Sequence, residues 1–190
     1  DAGAPPPGDS QCGATDDRVP SSDPRVARLL PVGCTAWLID DCAHCFLTAG
    51  HCGTSTGSIG VCEFNVPFST LGGALVHPGP EDQYSADGAS IQSNGGQGVG
   101  NDYGYFGCFP NTQTGLTAGE AQGAWFEVVA PPPVSGATIR ITGFGTDSTP
   151  NLTYNQIQQT HAGPFWSHVG TALQYQADTT GGNSGSPVIW

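Results

Sequence analysis

Glycine and proline interrupt this chain so often that a long helix has nowhere to run. Of its 190 residues 29 are Gly and 16 are Pro, and both are costly in a helix interior. No stretch repeats apolar residues at the helical period, so the pattern reads as all-β, short strands joined by turns. Strand-like runs stand at TAWLI (35–39), CFLTA (45–49), VCEF (61–64), ALVH (74–77) and NDYGYF (101–106). A second set follows at AWFEVVA (124–130), ATIRITG (137–143), ALQYQA (172–177) and SPVIW (186–190), with TAGEAQG and VAPPPVSG as punctuation. Residues 78–101 are poor in apolar side chains and rich in Gly, Ser and Asn, which predicts a long surface excursion.

A chain of this length buries a core as one domain or as two small barrels sharing an interface. Four arginines and no lysine face sixteen acidic residues, for a formal charge of -12. That balance argues against nucleic acid or an anionic membrane as partner and mildly favours basic substrates. No apolar run approaches a membrane span, and DAGAPPPGDS lacks the basic start and apolar core of an export signal, so any such signal is expected to have been removed. Seven cysteines (Cys12, Cys34, Cys42, Cys45, Cys52, Cys62, Cys108) point to an oxidising compartment and hence to secretion. Their odd number leaves one sulfur free or paired outside the chain. Cys42-Ala-His44-Cys45 has the spacing of half a zinc site, but no second pair follows, so disulfides are expected there and no metal or cofactor.

Three stretches carry chemistry together: Thr48-Ala-Gly-His51-Cys52, Asn101-Asp102-Tyr103, and Gly181-Gly182-Asn183-Ser184-Gly185-Ser186-Pro187. A serine hydroxyl becomes a nucleophile when an imidazole takes its proton, and the imidazole needs a carboxylate to fix its tautomer. The glycines before Ser184 leave room for backbone N–H groups, those of Gly182 and Ser184, to face a developing oxyanion. Asp82 and Asp87 compete with Asp102 for the carboxylate role, and the strand-like neighbours of Asp102 favour it.

TAGHC and GNSGSP resemble the chymotrypsin-like serine endopeptidases, and TTGGNSGSPV, with ATDDRVP and GCTAWLI, resembles the bacterial glutamyl endopeptidase branch. The similarity runs from about Asp16 to Trp190. It implies two packed antiparallel Greek-key β-barrels: an extended arm over 1–16, a first barrel over 17–117 carrying His51 and Asp102, and a second over 118–190 carrying Ser184. It also implies a catalytic triad of His51, Asp102 and Ser184, an oxyanion hole from Gly182 and Ser184, a disulfide between Cys34 and Cys52, and a protein or peptide substrate. Asp178 matches a position that binds substrate Arg or Lys in trypsin-like enzymes, whereas Thr179 matches a threonine that contacts substrate Glu, so either preference stands. Asn183 replaces the aspartate that receives the new amino terminus in trypsin-type activation; the loop must be held another way. Relatives continue beyond this point, so the second barrel is expected to be incomplete here and finished by a C-terminal companion polypeptide from the same precursor. The alternative function is a non-catalytic binding protein on the same scaffold.

Overall fold

Buried leucine, alanine, cysteine and aromatic side chains fill the first sheet. The computed structural model describes residues 9–41, 43–53, 58–133 and 136–190. Its first half runs β1 (Asp9–Ser10), β2 (Val19–Pro20), β3 (Val26–Pro31), β4 (Cys34–Leu38), β5 (Phe46–Thr48), β6 (Ile59–Glu63), β7 (Gln83–Ser85), β8 (Gln92–Ser93) and β9 (Gly104–Phe106). The second half adds β10 (Thr138–Gly143), β11 (Gln159–Val169), β12 (Ala172–Tyr175), β13 (Thr179–Thr180) and β14 (Val188–Ile189).

One seven-stranded antiparallel sheet has the order β7-β6-β3-β4-β5-β9-β8. It curls until its ends meet: Ala86 bridges Cys108, the Asp87 N–H donates to Gly107 O, and the Phe109 N–H donates to Ser85 O. The enclosed core includes Leu29, Ala36, Leu38, Phe46, Phe64, Tyr84 and Phe106, with the Phe46 and Phe106 rings stacked at 5.2 Å. Full burial of such side chains contributes roughly 1.5–3 kcal/mol each. The second sheet has the order β12-β11-β10-β14, with β2 on β11, around Ile139, Ile141, Phe165 and Ala177. Among the described residues this second order does not return on itself. Val26, Phe126 and Phe144 form a third cluster that joins residues of both halves.

Several expectations need correction. ALVH is unpaired, and AWFEVVA contributes only a parallel bridge between Phe126 and Ile39. TAGEAQG forms a short helix, α1 (Ala118–Gln122), because Thr117 and Glu120 make a reciprocal capping box and Gly123 closes it in the left-handed region. The excursion over 78–101 contains β7 and β8. Two principal strands, β3 and β11, went unread: β3 carries a charge at Arg28, and β11 has Gly163-Pro164 in its middle. The segment before β3 also crosses over, since β2 pairs with β11 of the second sheet, and β1 pairs with β13.

Arg28 and Glu63 explain how β3 accommodates its charge. Both are essentially inaccessible, paired at 2.6 Å, and Arg28 also donates to the carbonyls of Gln156 and Val76. His77 covers the other Glu63 oxygen at 2.7 Å. Removing one partner strands a buried charge, so Glu63→Ala is expected to lower unfolding free energy by roughly 3–5 kcal/mol, read by urea denaturation.

Candidate active site

Strand register brings the first two expected residues together. β5 pairs with β9 so that Thr48 faces Gly104; the chain leaving β5 and the chain entering β9 therefore lie side by side. His51 sits in the 3-10 turn Gly50–Gly53 that follows β5, a turn tied to β4 by the Cys34–Cys52 disulfide that the resemblance implied. Asp102 lies two residues before β9. Its Oδ1 accepts the His51 backbone N–H at 2.8 Å, and its Oδ2 lies 2.7 Å from His51 Nδ1. A carboxylate only accepts, so Nδ1 carries the proton and Nε2 is the basic nitrogen. The imidazole side chain is 48% exposed and the carboxylate 27%, which leaves the ring within reach of a substrate.

Burial pushes the Asp102 carboxyl up, but the His51 side chain, the His51 and Gly50 amides and the imidazole charge together hold it below the usual carboxylate range. The competing acids are elsewhere: Asp82 accepts from Asn65, and Asp87 accepts from Ala89 within its own turn.

The loop bearing Ser184 docks on the first sheet through one fully buried side chain, Thr35 of β4. The Thr35 N–H donates to Ser184 O at 2.9 Å, and Thr35 Oγ1 donates to Gly182 O at 2.9 Å while accepting from the Phe144 N–H at 3.0 Å. Cys52 Sγ lies 4.0 Å from Ser184 O. Gly185 packs so closely on the same surface that a Cβ would collide with Thr35 O and Thr48 Oγ1 and lie 2.8 Å from the Ala49 amide nitrogen. The backbone of the serine loop thus meets the segment that carries His51. Gly182 has φ +97°, and a Cβ there would sit 2.5 Å from Phe144 O. Among the described residues, neither the Gly182 nor the Ser184 N–H donates to a protein acceptor.

Asn183 is held without an ion pair. Its amide donates weakly to Thr180 O at 3.4 Å and accepts from Ser186 Oγ at 3.3 Å. Behind it Arg18 reaches in from the N-terminal segment, donating to Thr180 Oγ1 at 2.8 Å and pairing with Asp16 and Asp147. Neither Thr35 nor Arg18 was singled out from the sequence. Both lie outside the three motifs, though within ATDDRVP and GCTAWLI, stretches that carry the resemblance without indicating what these two side chains bond.

A cavity of about 280 Å³ opens beside Ser184, lined by Ile141, Tyr175, Thr179, Thr180, Gly181, Asn183 and Ser186. Thr179 lies in this lining, beside Ser184. Asp178 is not in the lining: it is buried, its carboxylate accepts the Cys12 and Asp17 amides at 2.6 and 2.8 Å, and its own N–H donates to His161 Nδ1. Those bonds direct it to the N-terminal segment. Two groups of side chains are close enough to share a metal among the described residues. Cys34, His51 and Cys52 include the disulfide sulfurs, and Asp17, His161 and Asp178 are engaged in the hydrogen bonds just given. Cys42, half of the zinc spacing, lies outside the described residues; its neighbour His44 stacks on Trp125.

No family description and no curated protein sequence matches the chain. Solved structures do. A Glu endopeptidase superposes with TM-score 0.67 at 20% identity over 92% of this chain and 80% of its own. The thermostable serine protease AL20 from an extremophilic microorganism gives 0.62 at 16% identity, over 87% and 78%. The protease Anisep from Arthrobacter nicotinovorans gives 0.61 at 16% identity, over 91% and 81%. The chain has the chymotrypsin-like serine-protease fold. These comparisons lend no support to the companion polypeptide expected above.

Thr35→Val keeps the shape and deletes the hydroxyl, leaving Gly182 O and the Phe144 N–H unmatched; a loss of roughly 1–3 kcal/mol is expected in urea unfolding. Asp102, and Asp16 beside Arg18, are both held below the ordinary range, burial being outweighed by their donors. Their contribution is complete above about pH 4 and is lost as the pH falls through the lowered values. Asp147, which burial raises, acts in the opposite sense and just above that window, taking up its proton in the folded protein before the unfolded chain does. The urea midpoint should fall as the pH drops below about 4, and less steeply in Asp102→Asn.

Proposed function

We propose that this protein is a secreted serine endopeptidase that cleaves peptide bonds through an acyl-enzyme. The observation that carries the reading is the His51–Asp102 pair set beside the Ser184 loop, whose Gly182 and Ser184 amides donate to no protein acceptor among the described residues. His51 Nε2 takes the Ser184 Oγ proton as Oγ attacks the scissile carbonyl carbon. The carbonyl oxygen becomes an oxyanion, received by the Gly182 and Ser184 N–H groups. His51 then returns the proton to the leaving amine, the acyl-enzyme remains, and a water activated by the same imidazole hydrolyses it. Asp102 keeps the ring oriented and stabilises its charged form. The Cys34–Cys52 disulfide supports an exported enzyme.

The cavity favours an acidic or amide side chain before the scissile bond. Thr179, Thr180, Asn183 and Ser186 offer hydroxyl and amide groups, and with Asp178 engaged elsewhere no carboxylate lines the wall to neutralise Arg or Lys. The overall charge of -12 pulls the other way, but it is screened beyond about 8–10 Å at ordinary ionic strength. The Glu endopeptidase among the structural neighbours is in keeping with this preference.

A fluorophosphonate probe should label Ser184, and Ser184→Ala should abolish labelling and reduce peptide hydrolysis by several powers of ten while the protein stays folded. A folded protein that neither reacts nor cleaves would instead be a binding module. A peptide library varied before the scissile bond should show Glu or Gln favoured over Arg and Lys; the reverse order would overturn the reading of the cavity.

A further inference from the structure

We propose that Cys62 and Cys108 are a disulfide site that locks the seam of the first barrel. Cys62 lies in β6, fully buried, and Cys108 follows β9, half-buried; their sulfurs are 3.4 Å apart although 46 residues separate them in sequence. Both are thiols in this structure, and bonding needs an approach on the order of 1.4 Å.

The position makes the bond consequential. β6 and β9 stand near opposite ends of the sheet order, and Cys108 itself makes the bridge to Ala86 by which those ends meet. Among the described residues two backbone hydrogen bonds make this closure, Asp87 N–H to Gly107 O and Phe109 N–H to Ser85 O, both at 2.9 Å, with the Gly107 N–H donating to the Ser90 hydroxyl beside them. A covalent link there turns a curled sheet into a closed ring. Because Cys108 and Asp102 flank the same strand, β9, the link also fixes the strand that presents the His51 partner.

Among the described residues Cys45 is a rival, since its sulfur lies 3.8 Å from a Cβ placed on Gly107. Its turn is held on Asp41, which accepts the Cys45 N–H at 3.0 Å and the Tyr105 hydroxyl at 2.7 Å. Closure needs an oxidant of the disulfide class, such as oxidised glutathione or a thiol–disulfide oxidoreductase. Cys108, the more accessible thiol, loses its proton and attacks, giving a mixed disulfide and releasing one thiol. Cys62 then loses its proton and displaces the second, so two S–H bonds are exchanged for one S–S bond and the oxidant leaves as two thiols. Burial pushes the Cys62 thiol well up, so its thiolate is scarce in the folded barrel and the bond forms fastest while the seam is still open.

The experiment is refolding of the full chain in a glutathione redox buffer, alkylation of the remaining thiols, and peptide mapping without reduction. The expected result is a Cys62–Cys108 linked pair beside Cys34–Cys52. Alkyl label on both Cys62 and Cys108 in the folded oxidised protein, or linkage of either to Cys45 or another cysteine, would overturn the proposal. In parallel, Cys62→Ala/Cys108→Ala should melt roughly 5–10 °C below the oxidised native sequence, with the gap shrinking when both proteins are reduced. An equal gap in both redox states would sink the locking role, since it would report lost packing alone. Neither readout depends on protease activity.

Discussion

Thr35 is the point on which the two halves turn. It sits fully buried in the middle strand of the first sheet, and its N–H and hydroxyl grip the carbonyls of Ser184 and Gly182 across the interface. Its own carbonyl accepts the Thr48 hydroxyl at the end of β5, three residues before His51. One side chain and its peptide groups thus connect the strand that leads to the imidazole with the loop that carries the hydroxyl. Buried polar groups of this kind are costly when unmatched, so the arrangement is specific: sliding the loop by one residue would orphan several of them at once.

The charge distribution serves the same docking. All four arginines are paired: Arg18 with Asp16 and Asp147, Arg25 with Asp23, Arg28 with Glu63, and Arg140 with Asp23. Arg18 binds the N-terminal segment to the back of the serine loop, and Arg28 reaches from β3 to the Gln156 carbonyl of the second half. In a chain with so few cations, Arg18, Arg28 and Arg140 pair with acids far away in the sequence, while Arg25 pairs with its neighbour Asp23 and lies over the Phe126 ring. The acids left over supply the negative field around the molecule.

How legible this was varied with the kind of signal. The all-β class and most strands of the first sheet could be read, because alternation and turn residues act locally. Its interior strand β3 could not, because a charged residue in a buried strand contradicts the hydrophobic pattern until its partner, 35 residues away, is known. TAGEAQG was read as punctuation although Thr117 and Glu120 have capping-box spacing. The expectation that Asp178 faces substrate met a different obstacle. Its carboxylate is directed by the amides of Cys12 and Asp17, more than 160 residues earlier, and no local pattern reveals such a partner.

The sequence by itself determined the chemical inventory: an imidazole beside a cysteine, an acid before a strand, a serine among glycines, and turns frequent enough to exclude long helices. Those properties are local, written in residue type and spacing. Tertiary structure alone decided that Asp102 rather than Asp82 or Asp87 meets the imidazole, that Asp178 turns to the N-terminal segment while Thr179 faces the cavity, and that Cys62 comes to lie beside Cys108. Each of those outcomes depends on strand register and on pairing between residues far apart in the chain, and such pairings are set by which buried polar groups find partners when the sheets close.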